Sequence, residues 1–189
     1  ALYWGRRFFE SRKYYEALLY FENAYVVLNH NYHGMSTVAK DKFYELAYYI
    51  GVCHINLKLY RQAYFYLDST YSQNTIRYTM AYVNALVDSH DFRALPIINV
   101  LLKNITHNTE GESENEEEEN LRQRLRDFLR FLHRRKAYVL IDLRRFDEAE
   151  KLLHSMLDNP EDEAFVLDEL AYLEQQRSAE DNKQTIGGL

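Results

Sequence analysis

Gly51-Val52-Cys53-His54-Ile55-Asn56-Leu57-Lys58-Leu59-Tyr60-Arg61-Gln62-Ala63-Tyr64-Phe65-Tyr66-Leu67 carries the clearest signature of how this chain folds. It predicts one helix ending near Lys58 and a second opening at Tyr60. Each helix carries a small residue, Gly51 and Ala63, twelve positions apart. Tyr60 opens an aromatic-x-x-Ala motif, and Leu67 follows the alanine by four. Working outward, the same spacing returns on both sides. Gly5, Tyr14-Tyr15-Glu16-Ala17 and Phe21 form one copy; Ala137, Phe146-Asp147-Glu148-Ala149 and Leu153 form another. Seven residues beyond each alanine stand Ala24, Thr70 and Met156.

This spacing has a mechanical meaning. Two helices joined by a tight turn pack closely only where neither backbone carries bulk, and a small residue on each opens that contact. The aromatic residue plugs the end of the hairpin, and the residue four beyond the alanine fills the space on the same helix face. One such hairpin cannot bury its own apolar side, so neighbours must stack.

The pattern resembles the tetratricopeptide repeat, a helix-turn-helix unit of about 34 residues. The first copy reads Gly5, Phe8, Tyr14, Ala17, Phe21, Ala24; the second Gly51, Leu57, Tyr60, Ala63, Leu67. The fourth reads Ala137, Leu140, Phe146, Ala149, Leu153, with Pro160 near the family's proline. A degenerate third copy at about 75–105 has Phe92 in the aromatic position but Val83 and Leu95 in the small ones, which predicts a wider splay. The family's tryptophan position falls on Ala1, with Trp4 three residues later, and Gly5 and Gly51 lie 46 apart because residues 28–36 and a longer helix intervene. The resemblance covers about residues 1–160 and implies an all-α, alpha-alpha superhelix of stacked hairpins.

The expected organisation is a single domain over 1–177, with hairpins at about 1–28, 37–73, 75–105 and 117–158 and a capping helix over 161–177. Ser36 or Thr37 and Asn74 are expected helix N-caps, and Asn159-Pro160 starts the last helix. Its apolar side is expected to carry Phe165, Val166, Leu167, Leu170 and Leu173. An acidic, flexible insert is expected over 106–116 and a loose tail over 178–189. With 17 Tyr and 10 Phe but only 6 Gly and 2 Pro, the composition disfavours a fold of many short strands.

The formal net charge of −6 argues against a nucleic-acid partner, whose binding runs on phosphate neutralisation. Residues 110–119 (EGESENEEEE) are acidic, whereas Arg122, Arg124, Arg126, Arg130, Arg134, Arg135, Lys136, Arg144 and Arg145 follow. Acid before base along one helix suits the helix dipole, and Glu118 precedes Arg122 by four. Cys53 is a lone thiol among apolar neighbours, which predicts a core residue. His30 and His33 lack a third ligand nearby, and His54 is expected to be packed and hydrogen-bonded. No catalytic set, metal site or cofactor motif is read. No run reaches the ~18 apolar residues of a membrane span, and no signal peptide is read, so a cytoplasmic location is expected. The chain opens on Ala1 inside a helical pattern, which leaves room for a leader, an anchor or further repeats upstream.

In the tetratricopeptide family the first helix of each pair lines a concave groove. Carried over, this places Arg6 and Phe9; Tyr48, Val52 and Ile55; Met80, Asn84 and Val87; and Arg134, Tyr138 and Ile141 in the groove, with Tyr49, Arg77 and Arg135 beside it. Aromatic, Met and Arg side chains are those that concentrate binding energy at interfaces. The resemblance therefore implies a non-catalytic module that holds a protein or peptide segment, of acidic character. The alternative reading is a regulatory or sensor domain of a larger protein, and self-association is a further route. Ordinary packing between repeats is the competing account of the tyrosines.

Overall fold

The structure, a computed structural model, describes residues 2–105 and 115–188. Among these there are nine α-helices and no strand. They are α1 (Leu2–Glu10), α2 (Tyr14–His30), α3 (Thr37–Asn56), α4 (Tyr60–Tyr71), α5 (Ile76–Asp88), α6 (Ala94–Ile105), α7 (Glu116–Asp142), α8 (Phe146–Met156) and α9 (Glu163–Gly187). The chain forms two compact units, Ala1–Ser89 and His90–Leu189, and within each the consecutive helices pack on one another. The unit boundary passes through the expected 75–105 hairpin, with α5 in the first unit and α6 in the second.

Three turns repeat one geometry. Arg12, Lys58 and Arg144 each stand five residues before the motif alanine, and each takes a left-handed backbone with φ of 59°, 60° and 62°. The following amides of Lys13, Leu59 and Arg145 reach back to the carbonyls of Phe8, His54 and Leu140 at 2.8, 2.8 and 2.9 Å. Those three residues then start the next helix, their carbonyls accepting from Ala17, Ala63 and Ala149 at 3.0, 3.0 and 3.1 Å. This is the left-handed helix stop that usually carries glycine. Here two arginines and a lysine carry it against their steric preference. Replacing Lys58 by glycine removes that conflict but loosens the unfolded chain. A net gain of about 0.5 kcal/mol is expected, seen as a higher urea midpoint, with an unchanged midpoint counting against the strain.

The motif positions meet as small-against-large contacts. A methyl group on Gly5 would stand 2.6 Å from Phe21 Cε1, and one on Gly51 would stand 2.6 Å from both Leu67 Cγ and Cδ2. The space left by each missing side chain is thus filled by the residue four beyond the alanine. Ala17, Ala63, Ala149, Phe21, Leu67 and Leu153 are all fully buried.

In the first unit, Ala17, Leu18, Phe21, Leu46, Ile50 and Cys53 form a core wrapped by partly buried rings. Tyr25 stacks on Phe43 at 4.9 Å and meets Tyr66 edge-on at 5.0 Å. Much of the tyrosine excess is therefore spent on packing between helices, at about 0.5–1.5 kcal/mol per ring pair. In the second unit the core takes Phe128, Leu132, Ala137, Leu140 and Ile141 from α7, Leu153 from α8, and Val166 and Leu173 from α9.

Several expectations need correction. Asn74 does not cap α5: it takes a left-handed turn (φ 54°), and Thr75 precedes the helix without a side-chain cap bond. Ser36 does cap α3, accepting from Ala39 N at 3.3 Å. Phe92 plugs nothing and is 85% exposed, because Asp91 turns the chain by accepting from Arg93 N at 2.9 Å and α6 begins only at Ala94. Leu167 is 57% exposed, off the apolar stripe of α9 that Val166 and Leu173 define. The expected tail over 178–189 is helical as far as Gly187, since no proline or glycine interrupts the stretch from Ser178 to Ile186, and Glu180 pairs with Arg144 at 3.5 Å. Most of the expected acidic insert lies outside the described residues. Its last two positions belong to α7, with Asn115 accepting from Glu118 N at 2.9 Å as the cap and Glu116 as the first helical residue.

Candidate functional site

The side chains that gather on one face of the first unit come from α1, α3 and α5. On α3, Lys42, Glu45, Tyr49 and Val52 follow one another at three- and four-residue steps, so they share a helix face, with Tyr48 beside them. Arg6 and Phe9 do the same on α1, and Arg77, Met80 and Asn84 on α5.

Rings and guanidinium groups tie these stripes together. Tyr49 meets Phe9 edge-on at 4.9 Å and stacks on Phe21 at 5.4 Å. Tyr48 contacts Tyr49 at 5.5 Å and Tyr78 of α5 at 5.2 Å. Over this pair lies Arg77, with its guanidinium carbon 4.4 Å from the Tyr48 ring centre and 5.4 Å from that of Tyr49. Its Nη2 donates to the Tyr49 hydroxyl at 3.2 Å. Burial works against the Arg77 charge, but the Tyr49 and Tyr48 hydroxyls outweigh it and raise its pKa. The result is a cation held over two aromatic rings and tied to one of them before any ligand arrives.

Between α1 and α3 opens a cleft of about 250 Å³. Phe21, Leu46 and Tyr49 lie at its bottom, while Arg6, Lys42 and Glu45 stand at its walls. Arg6 Nη2 reaches Glu45 Oε1 at 3.4 Å, a long contact between side chains 51% and 31% exposed. Lys42 is exposed and has no ion pair among the described residues. Lys42, Glu45 and Tyr78 are site residues that the carried-over groove positions miss. Extending the α3 stripe two turns back from Tyr49 would have found the first two.

Of the expected groove residues, the first unit collects Arg6, Phe9, Tyr48, Tyr49, Val52, Arg77, Met80 and Asn84, all at least half-buried or exposed. Val87 is 2% exposed and packs in the core, so it offers nothing to a partner. Arg134, Arg135, Tyr138 and Ile141 belong to the second unit. Ile141 is fully buried. Arg134 is committed internally: its Nε and Nη2 donate to Asp162 at 2.8 and 2.6 Å, and it lies 4.7 Å over the Phe165 ring. Arg135 stands over the Tyr138 ring at 5.7 Å, and Tyr138 stacks on Tyr172 of α9 at 6.4 Å. Arg134 binds the chain to itself because the acidic turn before α9 is folded against α7.

Elsewhere the titratable groups are set by packing. Burial, then the Glu22 carboxylate, pushes Cys53 up to about 12, so it is a neutral thiol at neutral pH. His54 is 5% exposed and its ring stacks on Tyr66 at 5.5 Å, with Nε2 at 3.7 Å from Glu22 Oε1. It is packed as expected but less well hydrogen-bonded, for Nδ1 is buried without a hydrogen-bond partner among the described residues. Burial lowers its pKa below the ordinary 6.5. The unfolded chain therefore takes up that proton first, and stability falls as pH drops below about 6.5, at no more than ~1.4 kcal/mol per pH unit for one group. His133 acts with the same sign in the second unit, through burial and then Lys136. Substituting His54 by phenylalanine is expected to flatten the acid limb of the first unit, measured by Trp4 fluorescence in urea at pH 7.5 and 5.5. Equal losses in both proteins would show that His54 is not the proton acceptor.

Among the described residues no three His, Cys, Asp or Glu side chains gather where they could hold a metal ion. No helix there is long and apolar enough to cross a membrane. Compared with protein-family models, with curated proteins and with solved structures, the chain matches none.

Proposed function

We propose that the first unit is a non-catalytic binding module that holds an acidic protein segment on the face formed by α1, α3 and α5, and that its hairpins are divergent tetratricopeptide repeats. The observation that carries this reading is Arg77 laid over Tyr48 and bonded to Tyr49. A cation already fixed on two rings loses little freedom when it meets a carboxylate, so its contact energy is retained on binding. The three turns of one geometry and the small-against-large contacts support the repeat assignment. The negative net charge supports a protein over a nucleic acid as the partner.

Selection from a random displayed-peptide library tests the reading. Acidic sequences should be enriched, and replacing both Tyr48 and Arg77 by alanine should weaken the selected peptides about 30-fold, as the loss of a central aromatic–Arg anchor does. Retention of full affinity by that variant, with unchanged helicity, removes this face from consideration.

A further inference from the structure

The α1–α3 cleft and the Arg77 platform share one residue, Tyr49, which lies at the bottom of the first and under the guanidinium of the second. A segment bound to both must therefore run on past Tyr49 rather than end there. The cleft itself is too small for a cofactor-sized molecule but has room for a side chain. Its depth is apolar, with Phe21 fully buried and Leu46 3% exposed, and its walls offer Arg6 from one side and Lys42 from the other.

We infer that this face reads an internal acidic–x–apolar–x–acidic sequence, x being turned to solvent: one carboxylate at Arg6 and Lys42, the apolar side chain on Leu46 and Tyr49, and the second carboxylate at Arg77. This rests on the binding role proposed above and gives it a ligand class and a register. Side chains two apart in an extended segment point to the same side, so two acids and the apolar residue midway between them face the protein while the intervening residues face solvent. Charge complementarity selects the occupant. Arg6 and Lys42 line the cleft with its apolar floor, Arg77 lies over Tyr48 and Tyr49, and the one acid among the lining residues, Glu45, is turned to Arg6 at 3.4 Å. Glu45 occupies part of the position a ligand carboxylate would take, so it competes with the ligand.

The test titrates the full chain with acetyl-Gly-Asp-Gly-Leu-Gly-Asp-Gly-amide and follows the resonances of Leu46, Tyr49 and the Arg6 and Arg77 side chains. Saturable shifts at all four are expected. The analogues with both Asp changed to Asn, or with Leu changed to Ser, should bind about 10-fold more weakly, since each lacks one half of the recognition. Lys42→Glu should weaken the first peptide by a similar factor, and Glu45→Gln should tighten it about threefold, a gain that a merely structural glutamate would not give. Equal binding of the analogues, no shift at Leu46, or a preference for a peptide ending in a free leucine carboxylate overturns the inference. If library peptides lose affinity on Arg77→Ala but not on Lys42→Glu, the binding role stands and the cleft assignment falls.

Discussion

Substitution of Gly51 by valine is expected to destabilise the first unit by about 3 kcal/mol, the upper end of the range for overpacked cores. The added Cβ alone would stand 2.6 Å from Leu67 Cγ, a branch point that cannot swing aside as a chain end can. Helix propensity works the other way, since glycine inside a helix costs about 1 kcal/mol relative to alanine. The close contact outweighs it. Trp4, the sole tryptophan, lies in α1 and reports on this unit. A fall in its urea midpoint is the expected reading. Shortening the partner should restore part of the loss: Gly51→Val with Leu67→Ala should be more stable than the sum of the single changes predicts, because the two side chains share one space. Strict additivity would mean that Gly51 does not hold the two helices together through Leu67.

The second large effect is expected at Asp162. Its side chain is 4% exposed and accepts from Arg134 at 2.6 Å and from Arg130 at 3.5 Å. It stands in a short 3-10 turn, Pro160–Asp162, which Asn159 fixes by accepting from Glu161 N at 3.1 Å. Removing one partner of a buried ion pair costs about 3–5 kcal/mol when all groups are enclosed. Here the two guanidinium groups are 26% and 34% exposed and water can recover part of that. About 2 kcal/mol is therefore expected for Asp162→Ala, and less for Asp162→Asn, which keeps one acceptor. Hydrogen exchange over Val166–Leu173 should quicken accordingly in α9. Unchanged protection there would show that α9 is held by its apolar stripe alone.

What could be read from residue order follows the same physics. Helix limits came within a few residues where a small residue, an aromatic and an alanine repeat at fixed spacing, because those positions pack against one another. The turns themselves were hidden. Left-handed stops announce themselves through glycine, and at Arg12, Lys58 and Arg144 the chain uses long basic residues instead. Phe92 misled for a related reason: an aromatic in the right register says nothing of whether the helix has yet begun, and Asp91 delays it. The face of the first unit was legible as stripes on α1, α3 and α5, but its cleft was not, since which side chains oppose each other across two helices depends on their rotation. Arg134 was assigned to a partner for want of any sequence signal that Asp162, twenty-eight positions later, would claim it.

Nine basic residues crowd positions 122–145, yet several of them are spent on the chain's own acids. Arg126 meets Glu119, Arg130 and Arg134 meet Asp162, Arg144 meets Glu180 and Arg145 meets Glu148. Charges neutralised at such short range project almost no field beyond a Debye length of about 8 Å in physiological salt. An approaching acidic molecule is thus steered by a handful of cations and not by the whole basic stretch, so its association rate should slow only gently as ionic strength rises.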